Sequence, residues 1–262
     1  MRIIRSRSRP SWWSTRIPFK KVSLLANDET GAIRSRLLAV REAIAAAAAQ
    51  AGRPAADITL IGVSKLFSEH TALAAWQCGL ADLGENRVQE LLPKQDWLAQ
   101  AGARPNWHLI GTLQRNKVRQ VIGRTALIHS VDSLSLLDEI SRRSQAAGLI
   151  TDVLLQVNAT GEASKHGFAP LELDDALAHG WRLPGVRIRG LMTMAQQTAF
   201  PEETVPVFTA VKNAFERAAR RPDCPDGWTV LSMGMSQDFA QAIRCGATHV
   251  RVGSAIFGPR PL

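Results

Sequence analysis

Lys65 closes the short apolar run Ile58-Thr59-Leu60-Ile61-Gly62-Val63-Ser64, at the point where a buried parallel strand would release its last side chain. A primary amine held there is suited to carbonyl chemistry, although the ordinary use of a lysine just past a strand is a solvated charge. Far along the chain, two further clusters combine glycine with hydroxyls: Ser232-Met233-Gly234-Met235-Ser236, and Arg251 followed by Gly253-Ser254. Backbone N–H groups and hydroxyls in such loops can cradle a phosphate dianion. In isolation Ser236 reads as the N-cap of a helix beginning near Gln237, and Gly253 as a turn glycine.

These groups work together only if the elements between them bring both ends of the chain to one place. Eight strand-like runs alternate with amphipathic stretches: 58–63, 80–83, 107–110, 126–131, 153–157, 186–192, 228–233 and 248–252. Helical spacing such as Leu136, Leu137 and Ile140 lies between them, so the order is a repeated β-then-α unit. The α/β pattern predicts a single (β/α)8 TIM barrel over residues 28–262, with an extra N-terminal helix from Asp28 to Gly52 carrying Ile33, Leu37, Val40 and Ile44 on one face. A doubly wound open sheet is the alternative, but no GxGxxG follows the first strand. In a barrel, residues just past each strand converge on one mouth, and the loops after strands seven and eight commonly hold phosphate. Lys65 opposite Ser236 and Gly253 then suits an aldehyde-bearing phosphate. Pyridoxal 5′-phosphate joined to Lys65 as a Schiff base satisfies both ends, with Arg251 near the ring.

The 262 residues are 45% hydrophobic and 21% charged, ordinary for a globular protein, and the formal charge is +9. Seven positive charges, Arg2, Arg5, Arg7, Arg9, Arg16, Lys20 and Lys21, precede the first acid, Asp28, and removing them leaves +2. The remaining bases are interspersed with acids, which speaks against nucleic acid as a partner. The 1–27 leader is read as a disordered basic tail. Its Arg- and Ser-rich character also fits an organelle transit peptide, but it lacks the apolar core of a secretory signal. No run approaches the ~20 apolar residues of a membrane span. Cys78, Cys224 and Cys245 form no CxxC pair, which fits a reducing, cytoplasmic setting and argues against structural zinc.

At this point the chain resembles a known family. The segments Ile61-Gly62-Val63-Ser64-Lys65, Gly84-Glu85-Asn86-Arg87-Val88-Gln89-Glu90, Trp107 to Gly111 with Leu113 to Lys117, His129-Ser130-Val131-Asp132-Ser133, Leu231 to Ser236 and Arg251 to Gly258 are similar to the YggS/PROSC pyridoxal phosphate homeostasis proteins. The resemblance spans roughly Asp28 to Gly258. It implies a barrel like the N-terminal domain of alanine racemase, with pyridoxal phosphate on Lys65 and a role in vitamin B6 balance without established turnover. Carried over residue by residue, it implies that Ser232, Ser236, Gly253 and Ser254 hold the phosphate, that Arg251 faces the pyridine nitrogen, and that Asn86 belongs to the cofactor site. Asn158 to Gly167 also matches, with the role of Lys165 open. Apo pyridoxal-phosphate enzymes are the candidate partners, and the protein is expected to be a monomer or weak dimer.

A weak racemase-like enzyme is the alternative. In the fold-related racemases the second base is a tyrosine from a partner subunit, and this chain contains no tyrosine. An arginine beside the pyridine nitrogen can only donate, so it favours the unprotonated ring, a poor electron sink. Other polar residues carry plainer expectations. His108, His129 and His249 lie in or beside strands and read as core or supporting residues, not metal ligands. Glu85 and Asp132 read as ion-pair members with neighbours such as Arg87, and Arg115, Lys117 and Arg119 as a solvated helix face.

Overall fold

The apolar runs become eight parallel strands: β1 (Thr59–Val63), β2 (Asp82–Glu85), β3 (Asn106–Leu109), β4 (Leu127–Val131), β5 (Thr151–Gln156), β6 (Val186–Met192), β7 (Val230–Ser232) and β8 (His249–Val252). Each pairs with the next, and β8 closes on β1 through Thr59 opposite His249 and Ile61 opposite Arg251. The barrel is therefore closed, and the open-sheet alternative is excluded. The computed structural model describes residues 19–159, 166–196 and 198–259, with side chains from Asp28 onward. Residues 1–18 of the basic leader, the 160–165 segment with Lys165, Gln197 and residues 260–262 lie outside the described residues.

Nine helices are described: α1 (Phe19–Gln50), α2 (Glu69–Gln77), α3 (Val88–Gln100), α4 (Val118–Val121), α5 (Leu134–Ala146), α6 (Leu173–Gly180), α7 (Val205–Ala219), α8 (Phe239–Arg244) and α9 (Ser254–Phe257). The α1 backbone starts nine residues before the expected Asp28. It stops where expected, with Gly52 at a left-handed φ of 66°. Ile33, Leu37, Val40 and Ile44 are buried as their spacing requires. Each such side chain contributes about 1.5–3 kcal/mol on burial. The segment expected to present a basic helix face is a short 3-10 turn, Arg115–Lys117, leading into α4; Arg115 and Arg119 are exposed.

The main apolar core is the annulus between strands and helices, and a separate cluster of Leu127, Leu154, Met192 and Val230 fills part of the barrel interior. Strand β2 begins two residues later than the apolar run Leu80 to Leu83 implies. Leu80 lies outside the strand in the annular core, while Asp82 and Glu85 occupy strand positions because each has buried hydrogen-bonding partners. Among the described residues, no helix is long and apolar enough to cross a membrane, and no group of three or more His, Cys, Asp or Glu could hold a metal ion.

Candidate functional site

The C-terminal ends of the strands enclose a cavity of about 270 Å³. One wall is built from β1 and β2. The chain leaves β1 through buried Ser64, presents Lys65 to the cavity, and turns at Leu66, the only non-glycine described residue with a left-handed φ, 67°. Side chains of α3 grip the backbone on both sides of Lys65: Lys94 Nζ donates to the Ser64 carbonyl at 2.9 Å, and the Leu66 N–H donates to Glu90 Oε2 at 3.1 Å. Lys94 also pairs with Glu85 at the end of β2, whose Oε1 accepts the Ser64 hydroxyl at 2.7 Å. Burial pushes the Glu85 carboxyl up, against the opposing pull of Lys94 and Ser64. Asn86, next in the chain, lines the cavity and is pressed against Gly111, where a Cβ would stand 2.4 Å from the Asn86 carbonyl. Only glycine permits that approach.

The facing wall comes from the loops after β7 and β8. Gly234, at φ 91°, lets the chain turn tightly against α8, and Met235, Ser236, Gln237 and Asp238 follow along the cavity. Ser236 Oγ accepts the Gly253 N–H at 3.1 Å, joining the two loops, and Gly253 and Ser254 complete the wall. Asp238 is buried, which pushes its carboxyl up, and it accepts the Met235 N–H. Gln196, Thr198 and Thr204, from the connection between β6 and α7, line the third side.

Arg251 lies between the walls, 4% exposed and lining the cavity. Its Nη1 donates to Ser232 Oγ at 2.5 Å and its Nη2 to the Thr193 carbonyl at 2.9 Å. Burial pulls its guanidinium down to about 10, with Asp238 the opposing charge.

Six of the seven expected site residues, Lys65, Asn86, Ser236, Arg251, Gly253 and Ser254, thus line one cavity. Ser232 does not: it is fully buried behind Arg251, because alternate residues of β7 point inward and its hydroxyl is taken by Arg251 and His129. Nor does Ser236 cap a helix at Gln237. Helix α8 begins at Phe239 with Asp238 at its N-cap, and the Ser236 hydroxyl bridges to Gly253 instead. Glu85 pairs with Lys94, not with Arg87, which is exposed at the α3 N-cap; Asp132 meets His166 at 3.3 Å. Asp238 escaped notice in the sequence: it makes no capping hydrogen bond to its own helix and instead accepts the N–H of Met235, three residues before it, a contact that no local pattern marks. Gln196, Thr198 and Thr204 are likewise unmarked.

Residues 36–261 match the family model described as "Alanine racemase, N-terminal domain". The pyridoxal phosphate homeostasis protein of Aquifex aeolicus is 39% identical over 225 residues, 86% of this chain and 97% of that one. The chain belongs to the pyridoxal phosphate homeostasis protein family. The family member of Escherichia coli K12 is 36% identical over 229 residues, 87% of this chain and 97% of its own length. A solved structure of PipY from Synechococcus elongatus, with PLP bound, superposes with a TM-score of 0.74 at 34% identity, covering 86% of this chain and all of that one. The family that the sequence motifs resemble and the closed barrel are both established by these matches.

Proposed function

We propose that this chain holds pyridoxal 5′-phosphate in the barrel mouth and serves the intracellular balance of that cofactor without substantial turnover. The observation that carries this reading is one cavity lined by Lys65 on one wall and by Ser236, Gly253 and Ser254 on the other, with Arg251 between. The donor set fits the group: an amine for an aldehyde, neutral hydroxyls and N–H groups for a dianion, and a donor-only guanidinium beside the ring. When bound, the cofactor would supply an aldehyde for the Lys65 amine to hold covalently.

The chain's own residues do the rest. Lys94 and Glu90 fix the peptides flanking Lys65, limiting where its amine can reach. Ser236 and Ser254 offer hydroxyls to the phosphate, and Gly253 offers close backbone approach. Arg251, which lines the cavity and can only donate, would favour an unprotonated ring nitrogen, and the sequence contains no tyrosine to act as a second base. Ser232 is reassigned from phosphate holder to support for Arg251. The relatives named for pyridoxal phosphate homeostasis, and the PLP-bound PipY structure, support the same reading. Three cysteines without a disulfide support a cytoplasmic setting, with apo pyridoxal-phosphate enzymes as acceptors and a monomer or weak dimer as the working state.

The test is borohydride reduction of protein purified with the cofactor, followed by peptide mapping. A reduced pyridoxyl group on Lys65 is the expected result. A label mainly on Lys165 or Lys117, or a protein that stays colourless with added cofactor, overturns the reading. The racemase-like alternative is decided by deuterium exchange at the Cα of L-alanine in heavy water: rates on the order of 1–1000 per second, typical of enzymes, would establish it.

A further inference from the structure

The barrel interior is divided. Leu127, Leu154, Met192 and Val230 form an apolar cluster within it, while an unbroken series of polar contacts crosses from Asp82, at the start of β2 on the barrel's base, to Arg251, near the end of β8 at its mouth. We propose that Asp82, His108, His129 and Ser232 are positioning residues for Arg251, forming a one-way hydrogen-bond chain that holds the guanidinium and fixes both imidazoles as Nε2–H tautomers.

The direction follows from what each group can donate. A guanidinium has no acceptor, so Arg251 Nη1 donates to Ser232 Oγ at 2.5 Å. At the far end, burial pushes the Asp82 carboxyl up, but hydrogen bonds from His108 and Asn106 outweigh it and leave the group below its ordinary value, an ionised acceptor. His108 Nε2 therefore donates to Asp82 Oδ1 at 3.1 Å. Between these ends His108 Nδ1 and His129 Nε2 stand 3.0 Å apart, and a chain that runs toward Asp82 has His129 Nε2–H donating and His108 Nδ1 accepting. Burial holds His129 well below the usual imidazole range and so neutral; with its one proton on Nε2, its Nδ1 accepts the Ser232 O–H at 2.9 Å. Running the chain the other way leaves the Ser232 proton with no acceptor among these contacts in a fully buried place, an unfavourable state. Every donor thus points from Arg251 toward Asp82, and the hydroxyl that Arg251 leans on cannot rotate away.

The chain needs no ligand to form; its effect on a ligand rests on the pyridoxal phosphate reading. Two measurements separate them. Long-range ¹H–¹⁵N correlation on cofactor-free, ¹⁵N-histidine protein at neutral pH should show His108 and His129 both as Nε2–H tautomers, with His129 Nδ1 accepting a hydrogen bond. An Nδ1–H signal on His129 overturns the proposal. In Ser232→Ala the His129 Nδ1 resonance should move to its unbonded position, and pyridoxal phosphate retention should fall about threefold to tenfold, with the reduced label still on Lys65. Unchanged retention would refute the positioning role. If the unsubstituted protein takes up no pyridoxal phosphate, the functional reading fails and the tautomer measurement alone decides the chain.

Discussion

The two walls of the cavity solve different problems with different materials. The β1–β2 wall is held by buried charge: Lys94 and Glu85 pair at 7% and 0% exposure, and α3 reaches over to pin the peptides on either side of Lys65. The wall after β7 and β8 is held by a hydroxyl, a buried carboxyl and the backbone N–H groups they accept, with no ion pair among Met235 to Asp238, Gly253 and Ser254 in the described residues. A covalent anchor needs an amine at one fixed reach, and a desolvated ion pair supplies that rigidity by making every alternative arrangement costly. An anion cradle needs the opposite, donors not already neutralised by a partner.

The largest expected effect separates anchor from cradle outright. Lys65→Ala should abolish covalent loading, read by mass spectrometry after reduction, while Ser236 and Ser254 still retain some free cofactor. Next, Lys94→Met should lower stability by about 3–5 kcal/mol in chemical denaturation, because it leaves Glu85 buried without its charge partner. The double change Lys94→Met with Glu85→Leu should recover much of that loss. If it does not, the pair is more than a counter-charge.

The mouth and the base of the barrel should also differ in their response to pH. Burial pulls His249, at the base of β8, down to about 4 from the usual 6.5, and His129 lower than usual too. A depressed imidazole contributes stability that is complete above pH 6.5 and lost as pH falls toward 4, on the order of 3 kcal/mol for His249. Glu85, raised by burial, works with the opposite sign: its contribution is complete at low pH and lost as pH rises through its folded value. Urea unfolding at several pH values should therefore show His249→Gln flattening the acid limb. An unchanged slope would place the acid sensitivity elsewhere. The smallest effect belongs to the cradle: Ser236→Ala and Ser254→Ala should each remove about 1.5–3 kcal/mol of binding, roughly tenfold to a hundredfold in dissociation constant by titration.

The meeting of Lys65 with Ser236, Gly253 and Ser254 at one cavity was legible in the sequence because each group follows an apolar strand, where the periodicity of the run marks the position. Ser232 looked equivalent to Ser236, yet four residues along a strand and its loop separate an inward, buried hydroxyl from one on the cavity. Lys94 was invisible for a different reason. Arg87 lies next to Glu85 in the chain, but it sits at the α3 N-cap facing solvent, while Lys94 is carried back over β1 by nearly two helical turns. His108 and His129 each read as isolated core histidines, since nothing local shows that β3 and β4 bring their ring nitrogens within 3.0 Å. What escaped was pairing across elements, which depends on barrel register and not on any local pattern.

Arg251 carries one further consequence. A guanidinium drawn down to about 10 by burial, offset only by Asp238, is a burden on the folded state that an arriving anion relieves. Ligand present at a hundred times its dissociation constant adds about 2.7 kcal/mol to folding by mass action. The melting temperature should then rise and fall with the surrounding supply of any ligand that binds in this cavity.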